Sequence, residues 1–325
     1  MVRQIGFALL GILMIQYFLT IKDYYGLALV AIAAILFIAV TSIVFIISPS
    51  HAENYMQVRG SLKGEGINSY SFFSSLVFLS PIVAYFIKRK NTSKTTKVFI
   101  FGLWATTVLA TALDSRTTAF IMAIAFLIIP LVTNTNKSIK LFITISILMI
   151  LAFTVFKFQL ASSINYLAHL FAGTTLEYRL SDLATAIEIS DFDLESDKTY
   201  TSGVRLSLLN ESINSFFTNP LIGGGKSGGH SFWIDILGMF GLIGLIPWLA
   251  IFLNQIKKNL RIFSINYKPF YIMSVLSFIT FGIFKSGLQD PQIMVSFFFL
   301  VPALYFLDIS EKKRSTPVIQ QKLNK

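Results

Sequence analysis

The chain has 325 residues, of which 54% are hydrophobic and 13% charged, and its mean hydropathy is +0.69. Apolar stretches of the roughly 20 residues needed to cross a bilayer recur along its whole length, which excludes a water-soluble enzyme and points to an integral membrane protein. The net charge of +11 is read as basic cytoplasmic loops and not as a nucleic-acid surface, and the absence of cysteine excludes disulfides, thiol nucleophiles and iron–sulfur clusters.

Taken in chain order, the apolar segments fall at residues 5–21, 26–47, 67–87, 98–113, 117–133, 141–156, 231–253, 269–288 and 292–309. The predicted fold is therefore all-α, a polytopic helical membrane protein of about nine transmembrane helices with one long extracytoplasmic loop of short amphipathic helices. The first segment lacks a basic start followed by a small-residue cleavage site, so it reads as a retained helix. The organisation expected is 1–156 for the first membrane helices, 157–230 for the loop domain, 231–310 for the last three membrane helices and 311–325 for a basic cytoplasmic tail.

One orientation collects Lys22, the Lys88 to Lys97 run, Lys137, Lys140, the Lys257 to Lys268 group and the tail on one side, which the positive-inside rule makes cytoplasmic. Most lysines obey it. Five of the eight arginines, Arg3, Arg59, Arg116, Arg179 and Arg205, fall on the outer side instead. A guanidinium grips phosphate or carboxylate through two parallel hydrogen bonds, so arginines placed against the topological rule point to an anionic ligand outside.

The long connection, 157–230, begins apolar through about Leu170, either lying on the membrane surface or extending the preceding helix. Thr174 and Glu177 then form a capping box for a helix through Ile189. Asp191, Asp193 and Glu195 have calcium-loop spacing, but Ser196 stands where that loop needs glycine and Ser202 where it needs glutamate, so the segment reads as a solvated acidic loop. A second helix starts at Thr201. Val204, Leu208, Leu209, Ile213, Phe216 and Phe217 form its apolar stripe, and Asn219 and Pro220 end it. Arg205 lies near its start, where the helix dipole also favours an anion.

Gly223 through Gly229 resemble an ATP phosphate loop at first sight, but the first glycine of that motif would fall on Pro220 and no strand precedes it. What remains is a glycine-rich approach to His230, at the mouth of the seventh span, where a histidine suits a general base; an interfacial histidine beside Trp233 is the plainer alternative. Asp114, Ser115 and Arg116 form a very short outer turn that sets Arg116 near bilayer depth, either for function or in an ion pair with Asp114. Arg59, Lys63 and Asn68 lie in a polar glycine-rich stretch running into the third span. Lys226 sits in the glycine-rich loop, and Lys285 near the outer end of the eighth span. The three histidines share no ligand spacing, so neither a metal nor any other cofactor is expected. No internal repeat and no broken midplane helix is evident.

The Ser115-Arg116 turn, the Ser202-Gly203-Val204-Arg205 helix start, Asn219-Pro220-Leu221-Ile222-Gly223-Gly224-Gly225, and then Gly229-His230-Ser231 followed by Asp235 and Gly238 through Gly244, taken in this order, resemble the O-antigen polymerase and O-antigen ligase superfamily over about residues 59 to 309. The resemblance implies a membrane glycosyltransferase acting on undecaprenyl-pyrophosphate-linked oligosaccharide at the outer face of the bacterial cytoplasmic membrane. It further implies that Arg116 and Arg205 hold the pyrophosphate and that His230 activates the acceptor hydroxyl. Arg59, Lys63, Asn68, Lys226 and Lys285 are further candidates for substrate contact. His-Ser-Phe-Trp-Ile-Asp, where ligases often have His-Asn, is more similar to polymerases of capsule and exopolysaccharide. Ligase activity and transport of a lipid-linked sugar stand as alternatives. Membrane lipid, and a flippase or chain-length regulator of polysaccharide assembly, are the partners this reading implies, with no nucleic acid among them.

Overall fold

A computed structural model describes residues 2–47, 70–90, 92–113, 117–132, 157–170, 201–226, 231–284 and 291–307, with scattered single positions between 140 and 184. Among the described residues every regular element is helical and no strand occurs. The helices are α1 (Val2–Thr20), α2 (Tyr24–Ile47), α3 (Tyr70–Lys88), α4 (Lys94–Leu113), α5 (Thr117–Val132), α6 (Lys157–Leu170), α7 (Thr201–Thr218), α8 (Phe232–Ile262), α9 (Lys268–Phe284) and α10 (Pro291–Val295). The last runs through a π-helical segment, Ser296–Leu300, into helical residues 301–307.

Eight of the nine predicted apolar segments correspond to described helices. The sixth, 141–156, lies almost wholly outside the described residues. The main difference is at α8, which runs to Ile262, nine residues past the predicted end at 253. Hydropathy stops where Lys257, Lys258 and Arg261 begin, but these are good helix formers and the hydrogen-bond ladder continues through them.

Among the described residues two helices are long and apolar enough to cross a membrane, Tyr24–Ile43 and Phe232–Ile262, and only a third of the most apolar stretch of each is buried. The described parts of the other apolar helices are shorter, such as Gly6–Thr20 and Ala119–Val132. Leu29, Ile32, Leu36, Phe37, Val40 and Ile43 are all exposed along α2. A contiguous apolar surface of this kind is hard to keep in water and natural against hydrocarbon.

The chain divides into two compact units, residues 1–138 with 247–325, and residues 139–246. In the first, α3 is central, with Val77, Phe78, Ile82 and Ala84 fully buried, and it packs on α4, α5 and α9. Phe252, Phe278 and Phe297 stack together, the last two with centroids 4.0 Å apart, and Phe78 meets Phe278 and Phe297 edge-on. Lipid tails are as apolar as phenylalanine, so in a bilayer such a cluster is held by close packing and ring geometry more than by water exclusion.

Next to it, polar groups are paired within the interior. Asn259 Nδ2 donates to Tyr271 Oη at 2.8 Å, Gln255 Nε2 to Asn259 Oδ1 at 3.1 Å, and Tyr267 Oη to the Val301 carbonyl at 3.0 Å. Trp104 Nε1 donates to Ser80 Oγ at 2.9 Å. In a medium without water each of these groups would be costly to leave alone.

In the second unit, α6 buries Ala161 against Ala184, with Ile164 packed on both, and Ser181 Oγ donates to Asn165 Oδ1 at 3.2 Å. Glu177, Leu180, Ser181 and Ala184 are helical, in line with the expected helix, whereas its Thr174 cap and the acids from Glu188 to Asp197 lie outside the described residues.

Candidate functional site

In the second unit Asn219 to Gly224, Ser231, Asp235, Gly238 and Gly241 converge on one backbone frame. It is built by the C-terminal half of α7, the loop 219–226 and the N-terminal part of α8. Pro220 supplies no N–H and cannot continue α7, so the chain turns there, with the Asn219 N–H donating to the Phe216 carbonyl at 3.1 Å and the Gly223 N–H to the Asn219 carbonyl at 2.7 Å. Gly223 has φ 74°, in the left-handed region, and a Cβ on it would lie 2.5 Å from the Met239 carbonyl carbon of α8. No side chain fits.

The reason for the close approach is that α8 is broken. Gly241 has φ 57° and ψ −156°, a conformation open essentially to glycine alone. The break turns the Leu242 and Ile243 N–H groups away from their own helix, and they donate instead to the Pro220 and Leu221 carbonyls at 2.9 and 3.0 Å. The Gly238 carbonyl accepts from the Gly224 N–H at 3.0 Å and from Ser215 Oγ at 2.8 Å. Ser215 Oγ in turn accepts from the Lys226 N–H at 3.3 Å. Loop carbonyls thus replace a turn of helix in an otherwise apolar rod. Irregular backbone in a membrane helix persists only where the protein itself supplies such partners.

The start of α8 is held as firmly. Asp235 and Ser231 are 1% exposed and Ser212 is fully buried. Asp235 Oδ2 accepts from the Ser231 N–H at 3.2 Å, Asp235 Oδ1 accepts from Ser212 Oγ at 2.8 Å, and the Asp235 N–H donates to the Ser231 carbonyl at 2.7 Å. A carboxylate in the first turn also suits the positive end of the helix dipole. Asp235 is therefore an internal tie between α7 and α8 that fixes Ser231, the residue joined to His230.

The structure corrects two expectations here. The broken helix that was not evident in the sequence is present at Gly241. On α7, among the residues whose burial is described, the buried positions are Ser212 and Ser215; Leu208, Leu209, Ile213 and Phe216 of the expected apolar stripe are half-buried and Phe217 is 70% exposed. The cause is distance: a Cβ on Gly238 would lie 2.6 Å from the Ser212 carbonyl oxygen, so α7 and α8 approach too closely for large side chains to stand between them. Ser212 and Ser215, three apart on one helix face, were not singled out as site residues. The detectable signal was that stripe of small residues opposite the glycines of α8.

Of the expected site residues, Arg205 is the fifth residue of α7 and Lys226 ends the loop, exposed, so both belong to the unit that carries the frame. His230, Arg116, Arg59, Lys63, Asn68 and Lys285 lie outside the described residues, as does Asp114. Among the described residues no group of three His, Cys, Asp or Glu is arranged to hold a metal ion. Chemically, the arrangement offers a hydrogen-bonded backbone platform in which a largely exposed, glycine-rich loop meets the broken N-terminal third of an apolar helix. No protein-family model, no curated protein and no solved structure matches this chain.

Proposed function

We propose that this chain is a polytopic membrane glycosyltransferase that polymerises undecaprenyl-pyrophosphate-linked oligosaccharide repeat units into surface polysaccharide at the outer face of the bacterial cytoplasmic membrane. The observation that carries the reading is a coincidence of residues. Asn219, Pro220, Leu221, Gly223, Gly224, Ser231, Asp235, Gly238 and Gly241, which belong to the motifs that resemble O-antigen polymerases and ligases, build the hydrogen-bonded frame around the start and break of α8.

In this reading about nine spans put the N-terminus and the loop 157–230 outside. The acceptor sugar hydroxyl attacks the anomeric carbon of the lipid-linked unit. His230 takes the hydroxyl proton, the new glycosidic bond forms, and the bond from the anomeric carbon to the pyrophosphate oxygen breaks. Both electrons leave with undecaprenyl pyrophosphate, whose developing charge Arg116 and Arg205 neutralise. Arg59, Lys63, Asn68, Lys226 and Lys285 are assigned to donor and acceptor contacts. The Ser212–Asp235–Ser231 tie holds the chain on which His230 is mounted.

One observation favours a second reading. A glycine break in an apolar helix is a feature of transporters, in which unwound backbone lines a substrate path. Here the freed groups are taken up by the chain's own loop, which favours a static role. The test is to reconstitute the purified protein in liposomes with a lipid-linked repeat unit and to measure both glycan length and movement of the unit across the bilayer. Longer glycan, lost by about 100 to 10,000-fold in His230→Ala at unchanged protein abundance, supports the polymerase. Movement without lengthening supports transport, and lengthening that is indifferent to His230→Ala removes the assigned base.

A further inference from the structure

Within the first unit, α2, α3 and α4 enclose an apolar cavity of about 220 Å³, walled by residues such as Ile82, Phe86 and Leu103. Its mouth is polar. There Arg89, Thr92 and Thr96 line it, at the turn between the end of α3 and the start of α4. An apolar cavity of this kind stays dry and takes hydrocarbon.

We propose that this cavity is a binding site for one anionic phospholipid, with an acyl chain between α2, α3 and α4 and the phosphate at Arg89 and Thr92. Four observations select that occupant. The walls suit a hydrocarbon chain, and the guanidinium at the mouth suits phosphate. Thr92 Oγ1 is shielded from solvent and has no hydrogen-bond partner among the described residues, so it has a donor to give. Lys88, Lys90, Lys94 and Lys97 surround the same turn, so the field at the mouth attracts a net negative headgroup and gives a zwitterionic one little. Finally, α4 begins here. Ser93 Oγ accepts the Thr96 N–H at 3.0 Å and its carbonyl the Lys97 N–H at 3.0 Å, while the helix dipole adds positive potential at this end. The basic turn is on the side that the lysine distribution makes cytoplasmic, so the lipid belongs to the inner leaflet. The site is independent of the glycosyl-transfer reading; it requires that the chain sits in a membrane and, for the leaflet, that its lysine-rich side is cytoplasmic.

The test is native mass spectrometry of the full chain in mild detergent, titrated separately with dioleoyl phosphatidylglycerol, dioleoyl phosphatidylcholine, undecaprenyl phosphate and inorganic phosphate. The expected result is one retained phosphatidylglycerol, no retained phosphatidylcholine and no binding of inorganic phosphate alone. Arg89→Gln should weaken phosphatidylglycerol retention roughly tenfold, the size of one charge-assisted hydrogen bond, while Lys257→Gln, an exposed position on α8 with no part in that turn, leaves it unchanged. Val83→Phe, which fills the cavity, should abolish retention; if that variant does not fold, the Arg89 and Lys257 pair decides. Equal retention of phosphatidylglycerol and phosphatidylcholine, or equal effects of Arg89→Gln and Lys257→Gln, would overturn the site in favour of diffuse surface attraction. Retention of undecaprenyl phosphate with loss of phosphatidylglycerol would make it a polyprenyl site and overturn the phospholipid assignment.

Discussion

Substitution of Gly241 by alanine tests the frame at its most constrained point. In the present backbone the new Cβ would lie 2.5 Å from both the carbon and the oxygen of the Leu221 carbonyl and 2.6 Å from the Gly223 nitrogen. These are backbone atoms, so no rotamer change relieves the overlap. The dihedral pair itself costs an L-residue about 1–3 kcal/mol. The cheap escape is for α8 to straighten, letting the Leu242 and Ile243 N–H groups return to the Gly238 and Met239 carbonyls. The helix then loses nothing, but the Gly238 carbonyl is no longer open to the Gly224 N–H and Ser215 Oγ, and the Pro220 and Leu221 carbonyls lose their donors. Two to four hydrogen bonds at about 1 kcal/mol each leave the loop detached by roughly 2–4 kcal/mol, or about 30 to 1,000-fold in opening equilibrium. Hydrogen–deuterium exchange read by mass spectrometry in detergent should show this as a split. Exchange of Gly224 should accelerate by that factor while Leu242 and Ile243 remain protected. Gly102→Ala is the control, since nothing lies within 4 Å of its added methyl and it stands inside α4; it should be neutral or stabilise by about 0.5–1 kcal/mol. If Gly241→Ala leaves Gly224 exchange at the native rate, the loop is not held by the break and the account of the frame fails.

Arg116→Lys keeps the charge but loses the planar fork, so chain lengthening should fall on the order of 10 to 1,000-fold; near-normal turnover would reduce Arg116 to a partner of Asp114. Activity should survive a strong chelator, and complete loss reversed by calcium or magnesium would return the Asp191 to Asp197 acids to the mechanism. Tyr271→Phe removes the acceptor of Asn259 Nδ2 in a buried site and should destabilise the first unit by about 1–3 kcal/mol, seen as a lower thermal midpoint in detergent; an unchanged midpoint would show that this network does not contribute.

The helices were readable because each is a run of apolar residues with charge or glycine at its ends, and the period and length of such runs are set by local chemistry alone. The end of α8 was misread because hydropathy reports where the membrane stops, while Lys257, Lys258 and Arg261 continue the helix in water or at the interface. The break at Gly241 was invisible for another reason. Glycines at 238, 241 and 244 in an apolar run are ordinary in membrane helices, and what breaks this one is donors and acceptors from Pro220, Leu221 and Gly224, a tertiary event. Asp235 shows the same limit. In the sequence it is one residue of a motif, and only the fold reveals its carboxylate spent on Ser212 and Ser231.

The π-helical segment in the last helix settles a matter of angular phase. Eight residues separate Phe297 from Tyr305, and at roughly 100° per residue a regular α-helix would set them about 80° apart around the axis. The wide turn, in which the Val301 N–H reaches back five residues to the Ser296 carbonyl, absorbs close to one residue and brings the two rings to within about 20° of each other. Phe297 then meets Phe252 and Phe278 at one level, and Tyr305 meets Phe263 and Tyr267 at another, along the same seam. Straightening Ser296–Leu300 into a regular helix with every residue kept would swing Tyr305 off that seam, whereas deleting one residue from 298–300 would leave an ordinary helix with Tyr305 still on it, so the wide turn acts as a phase shifter that lets one straight element serve both levels of the α8–α9 pair.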